Sequence, residues 1–142
     1  MIRLFFLVLL AASAAPAAAQ FGIGGQVGDP TGLALRFGAG PSAFDLAAGW
    51  DLDDDRLFVQ GHLLLRERRV PGAAADLRYF YGPGAFLSAA DDRDTGVGFS
   101  FNAGLGFHTG PIEIFGQLTP RLALAPDTDF DLGGALGLRY YP

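Results

Sequence analysis

From Phe130 to Tyr140 the chain alternates. Phe130, Leu132, Leu136, Leu138 and Tyr140 stand at one parity, and Asp131, Gly133, Ala135, Gly137 and Arg139 at the other. Successive side chains of a strand point to opposite faces, so this period of two predicts a strand with one apolar face and one small, charged face. Clusters of turn residues cut the chain beyond residue 20 into eight such runs. The breaks are Asp29-Pro30-Thr31-Gly32, Gly40-Pro41-Ser42, Asp53-Asp54-Asp55, Val70-Pro71-Gly72, Asp91-Asp92-Arg93-Asp94, Thr109-Gly110-Pro111 and Pro126-Asp127-Thr128-Asp129. The spacing predicts strands over about 20–28, 33–39, 43–52, 57–66, 77–87, 97–108, 112–124 and 130–141. No helical period survives beyond residue 20.

Sorting the runs by parity gives one face of Leu, Ile, Val, Phe, Tyr and Trp that carries no charged residue. The other face holds Gln26, Arg36, Asp45, Gln60, His62, Arg66, Arg78, Ser100, Asn102, His108, Glu113, Gln117, Arg121, Asp131 and Arg139 among many Gly and Ala. Gly packs nothing and weakens a solvated strand, so a Gly-rich polar face suits a crowded interior. Eight strands enclose a space that side chains just fill. The expected fold is therefore all-β, an eight-stranded antiparallel up-and-down transmembrane β-barrel with its apolar face toward lipid. The alternative is a soluble periplasmic lipocalin-like barrel with a hydrophobic ligand in an apolar interior. The two make opposite statements about Leu33, Phe99 and Leu136.

Ions that face a narrow interior need partners, because desolvating them alone costs several kcal/mol. One pairing of the last two strands places Arg121 opposite Asp131 and Glu113 opposite Arg139. A tight turn at Gly40-Pro41 places Arg36 opposite Asp45 and Phe37 opposite Phe44. These pairs are read as fillers that fix register. A solute channel would instead require a wet path past Arg36, Arg78, Arg121 and Arg139.

Residues 1–19 have the layout of a cleaved secretory leader: Arg3, an apolar run from Leu4 to Ala12, then Ala17-Ala18-Ala19. The barrel is assigned to 20–142. There is no cysteine, which excludes disulfides, thiolate metal sites and a lipid-modified N-terminus. The net charge of −5 argues against nucleic acid as a partner. If the N-terminus lies in the periplasm, as in eight-stranded barrels of the bacterial outer membrane, the outer loops carry Asp53, Asp54, Asp55, Asp91, Asp92 and Asp94. These are read as solvated turn tips, with weak bridging of divalent cations to lipopolysaccharide phosphates as the functional alternative. Arg66, Glu67, Arg68 and Arg69 lie at the inner end.

Catalytic chemistry finds little support. Ser100 and His108 share a face but lie eight residues apart, roughly 26 Å at strand rise, and His62 lies two strands from either. Ser100-Phe101-Asn102-Ala103-Gly104 is faintly similar to the Ser-Asn-Ala run of outer-membrane lipid A deacylases, but Gly98 and Phe99 stand where those enzymes carry histidine. No enzyme activity, cofactor or metal is expected.

Gly28-Asp29-Pro30-Thr31-Gly32-Leu33, Pro111-Ile112-Glu113-Ile114-Phe115, Thr119-Pro120, and Asp129-Phe130-Asp131-Leu132 leading to Gly137-Leu138-Arg139-Tyr140-Tyr141 carry a resemblance. The chain resembles the small eight-stranded outer-membrane barrels related in fold to the OmpA transmembrane domain and OmpX. That resemblance implies insertion by the outer-membrane assembly machinery, which reads a final strand ending in an aromatic residue. Here Pro142 follows Tyr141. The expectation is a porin-like cell-envelope barrel in the bacterial outer membrane, surrounded by its lipids and lipopolysaccharide, with a structural or surface-interaction role.

Overall fold

The computed structural model describes residues 21–38, 43–51, 56–90 and 93–142. Residues 1–20, 39–42, 52–55 and 91–92 lie outside that set. Among the described residues every regular element is a strand: β1 Phe21–Gly28, β2 Gly32–Phe37, β3 Ala43–Asp51, β4 Arg56–Leu64, β5 Arg66–Arg69, β6 Asp76–Ala90, β7 Arg93–Thr109, β8 Ile112–Ala125 and β9 Asp129–Tyr140. Both β4 and β5 pair antiparallel with β6, so they are two halves of one barrel strand and the barrel has eight. The ring closes where β1 pairs with β9, which removes the open sheet edges that invite aggregation.

Local chemistry explains the turns. Between β1 and β2 the Thr31 hydroxyl accepts from the Gly28 amide at 2.9 Å and donates to the Gly28 carbonyl at 2.8 Å. The Asp29 amide then donates to the Gly134 carbonyl at 2.8 Å, fixing this turn to β9. Between β7 and β8 two residues suffice, because Gly110 takes a φ of 57° that other residues rarely adopt.

The strand boundaries follow the hydropathy pattern except in two places. The β6–β7 hairpin is taller than the apolar alternation indicates, because Ser88-Ala89-Ala90 and Arg93-Asp94-Thr95-Gly96 extend the strands without an apolar stripe. Backbone pairing needs no side-chain pattern. The second departure is a bulge at Leu65. Between the pairs His62–Gly84 and Arg66–Tyr81 one strand advances four residues and its partner three. An extra residue reverses the parity of everything beyond it. Alternation alone places Arg66 inward; in the structure Arg66 is exposed and Glu67 turns inward.

The two faces differ sharply in chemistry. Val27, Phe99, Phe130 and Leu136 are 63–68% exposed on the outer wall, whereas Arg36, Arg121 and Arg139 are 2–3% exposed inside. The interior is closed by polar and ionic contacts, together with a small apolar cluster of Ala43, Leu64 and Phe80.

Candidate functional site

The barrel interior concentrates the chain's chemistry. One line of directly opposed residues crosses the strands in the order Gly22, Arg36, Asp45, His62, Gly84, Ser100, Arg121, Asp131. A second reads Asp76, His108, Glu113, Arg139, Gly24. The registers of β2–β3 and β8–β9 are those that the spacing predicts, with Arg36 facing Asp45, Glu113 facing Arg139 and Arg121 facing Asp131.

Side chains from both lines merge into one ionic cluster near the end that holds Phe21. Arg36 Nε and Nη2 bond the two Asp45 oxygens at 2.5 and 2.8 Å, the bidentate geometry in which a guanidinium binds a carboxylate best. Arg36 Nη1 bonds Glu67 and lies 3.4 Å from Glu113 Oε2. Arg139 Nη1 donates to Glu113 Oε1 at 2.7 Å, and its Nη2 lies 3.5 Å from Asp45. His108 Nε2 stands 3.2 Å from Glu113, and the Tyr141 hydroxyl donates to Glu113 Oε1 at 2.9 Å. Burial and the adjacent Glu113 charge push the Tyr141 phenol above its ordinary value, so it acts as a donor. Arg78 closes the mouth, bound to Asp76 at 3.0 Å and near Glu67 at 3.6 Å. Glu67 joined the cluster unannounced by the sequence, because the bulge that turns it inward leaves no mark in the alternation.

Each of the three buried arginines also rests on a ring: Arg36 over Phe80 at 4.5 Å, Arg121 over Phe58 at 4.6 Å and Arg139 over Phe115 at 3.7 Å. A planar, weakly hydrated guanidinium tolerates such a platform better than an ammonium does, which accounts for charged interior positions filled by Arg in a chain without Lys. The glycines make room for these bulky groups. Phe115 lies between Gly106 and Gly137, and Phe80 lies beside Gly104. A Cβ on Gly104 would stand 2.6 Å from the Phe80 ring, and one on Gly137 would run into the Phe115 ring.

The middle of the interior corrects one expectation. His62 lies two strands from Ser100, a separation that sequence reasoning takes to preclude contact; the structure brings His62 Nε2 to 2.7 Å from Ser100 Oγ. The residue between them is Gly84, paired with both, and the two side chains meet over the space it leaves. A Cβ there would lie 2.6 Å from His62 Cδ2. His62 and Ser100 have the reach of a base and a nucleophile, yet they are 1% and 8% exposed. A substrate would have to displace packed interior side chains to meet them. Beside them Asn102 donates to Gln117 at 3.0 Å, and Thr119 donates to Asn102 at 2.9 Å.

At the opposite end Arg121 is shared. Its Nη1 lies 3.1 Å from Asp29 and 3.4 Å from Asp131, its Nη2 donates to the Asp29 carbonyl at 2.7 Å, and Gln60 accepts at 3.1 Å. The Asp131 side chain is 64% exposed. Asp131→Asn is therefore expected to cost no more than about 1 kcal/mol, as for exposed ion pairs, with a larger loss when Asp29→Asn is added. Chemical unfolding of the three proteins checks this. Of the acidic loop residues, Asp53, Asp54, Asp55, Asp91 and Asp92 lie outside the described residues. Asp94 is the second residue of β7, with its side chain outside them.

Among the described residues no cluster of His, Asp and Glu has the geometry of a metal site. Compared with protein-family models, curated proteins and solved structures, the chain matches none.

Proposed function

We propose that this protein is an integral β-barrel of a bacterial outer membrane, exported by a leader spanning residues 1–19. Its interior is filled, its outer loops are acidic, and its role is envelope-structural or surface-interacting, with no catalysis and no cofactor. The observation that carries this reading is the inversion of polarity across the wall. Phe99 and Leu136 are 63% and 68% exposed, while Arg36 and Glu113 are 2% and 0% exposed. In water such a wall loses roughly 25 cal/mol for every Å² of apolar surface left uncovered, whereas acyl chains cover it without penalty. A soluble carrier of a hydrophobic ligand calls for the reverse, with Phe99 and Leu136 inside. A solute path would have to pass guanidiniums that are stacked on rings and ion-paired. Insertion by the assembly machinery and contact with outer-membrane lipids and lipopolysaccharide belong to the same reading.

Membrane fractionation followed by electrophoresis with and without boiling tests it. Recovery in the outer membrane with a heat-dependent mobility shift is the expected result; fully soluble periplasmic protein would contradict it. Leu136→Arg should reduce insertion, at a cost of about 2–4 kcal/mol for a charge on the lipid face near the midplane. The same assay reads that outcome as a loss of the compact, unboiled band.

A further inference from the structure

The bulge at Leu65 does more than turn Glu67 inward. By the same change of parity it turns Arg66 and Arg68 to the outer wall, where they stand opposite Tyr81 and Tyr79 on β6. The two tyrosine rings stack at 6.5 Å, and Tyr81 lies 6.2 Å from Phe101. Around them the wall is apolar: Leu63, Phe101 and Leu105 are 40–49% exposed. The outer surface at this end therefore sets two arginines directly against two tyrosines, within a wall of aliphatic and aromatic side chains.

The arginines are free to bind. Glu67, the one carboxylate on β5, is committed to Arg36 and Arg78, and Asp76 is committed to Arg78. Among the described residues neither Arg66 nor Arg68 forms an ion pair, and both are exposed. At the other end the exposed charges among the described residues are Asp29, Asp127, Asp129 and Asp131 with Arg56 alone against them, so an anion is favoured at the end that holds Phe21.

We propose that Arg66 and Arg68, with Tyr79 and Tyr81, form a headgroup site for anionic phospholipid in the leaflet at the end of the barrel that holds Phe21. This rests on the membrane reading above. A guanidinium binds a phosphate diester through two parallel hydrogen bonds. Tyrosine suits the level between headgroup and chain, and the apolar wall takes the acyl chains. The combined demand for phosphate at one level and hydrocarbon at the next is the chemistry of a phospholipid rather than of a soluble anion.

Native mass spectrometry of the folded barrel in detergent, offered phosphatidylglycerol, phosphatidylcholine and lipopolysaccharide in equal amounts, tests the proposal. Wild type should retain phosphatidylglycerol preferentially. Arg66→Gln with Arg68→Gln should reduce that preference by roughly tenfold or more, since each arginine near an anionic surface adds a comparable increment. Arg66→Lys with Arg68→Lys should keep most of it, and Asp127→Asn with Asp129→Asn should leave it unchanged. The heat-dependent mobility shift establishes that each variant is folded. Equal retention of the two phospholipids by a folded, membrane-inserted wild type overturns this inference and leaves the barrel assignment standing. Stronger retention of lipopolysaccharide than of phosphatidylglycerol also overturns it. A wild type that does not enter a bilayer overturns both readings.

Discussion

Glu113→Gln is expected to lower the unfolding free energy of the barrel by about 3–5 kcal/mol, the cost of breaking a buried ion pair from one side. Glu113 is 0% exposed and receives Arg139 at 2.7 Å and Tyr141 at 2.9 Å, with His108 and Arg36 close by. The amide keeps the volume and loses the charge. Arg36 retains Asp45 and Glu67, so the loss falls chiefly on Arg139, whose remaining carboxylate, Asp45, lies 3.5 Å away. Adding Arg139→Met should recover most of the loss, because the cation is then gone and a flexible apolar chain lies on Phe115. Urea unfolding followed through Trp50, the single tryptophan of the chain, supplies the measurement. A loss below about 1 kcal/mol for Glu113→Gln would mean that the cluster behaves as a surface pair does.

Gly84→Val is expected to have an effect of similar size by a different mechanism. A side chain at this position enters the space over which His62 and Ser100 meet, and its Cβ also runs into the Gly61 carbonyl of the neighbouring strand. Overpacking a filled core costs about 1–3 kcal/mol and more when backbone must move, and the separated His62 and Ser100 add the penalty of buried polar groups left unpaired. Ser100→Ala alone should be much milder, since it removes the hydroxyl and adds no volume. On the outer wall Gly25→Ala should be close to neutral, as its nearest neighbour would lie at an ordinary 3.5 Å. Comparing the three unfolding midpoints separates the interior from the wall. Equal losses for Gly84→Val and Gly25→Ala would mean that position relative to the interior does not matter.

The barrel was legible in the sequence because its determinants are local. Period-two alternation marks each strand, and turn chemistry marks each end; a single register that satisfies both Arg121–Asp131 and Glu113–Arg139 fixes how β8 and β9 pair. Features that depend on the third dimension were not legible. The bulge at Leu65 leaves the sequence pattern intact and yet exchanges the roles of Arg66 and Glu67. The contact between His62 and Ser100 spans an intervening strand, and distance counted in strands says nothing of a glycine that lets two side chains meet above it. Asp131 shows the converse. Its register is the one the spacing predicts, but it sits at a barrel end where water competes, and Asp29 comes closer to Arg121 than it does. A partner assigned by register is not thereby the dominant partner.

The central claim is that the apolar parity of the wall faces lipid and the polar parity faces a packed interior. The absence of native cysteine allows single cysteines to be placed at Phe99, Leu136 and Ala135 without background. Each would carry a small fluorophore in barrels reconstituted into vesicles containing spin-labelled lipid. The predicted result is strong quenching at 99 and 136 and little at 135, whose side chain is 8% exposed within the barrel. Equal quenching at all three positions, or quenching at 135 alone, would contradict it.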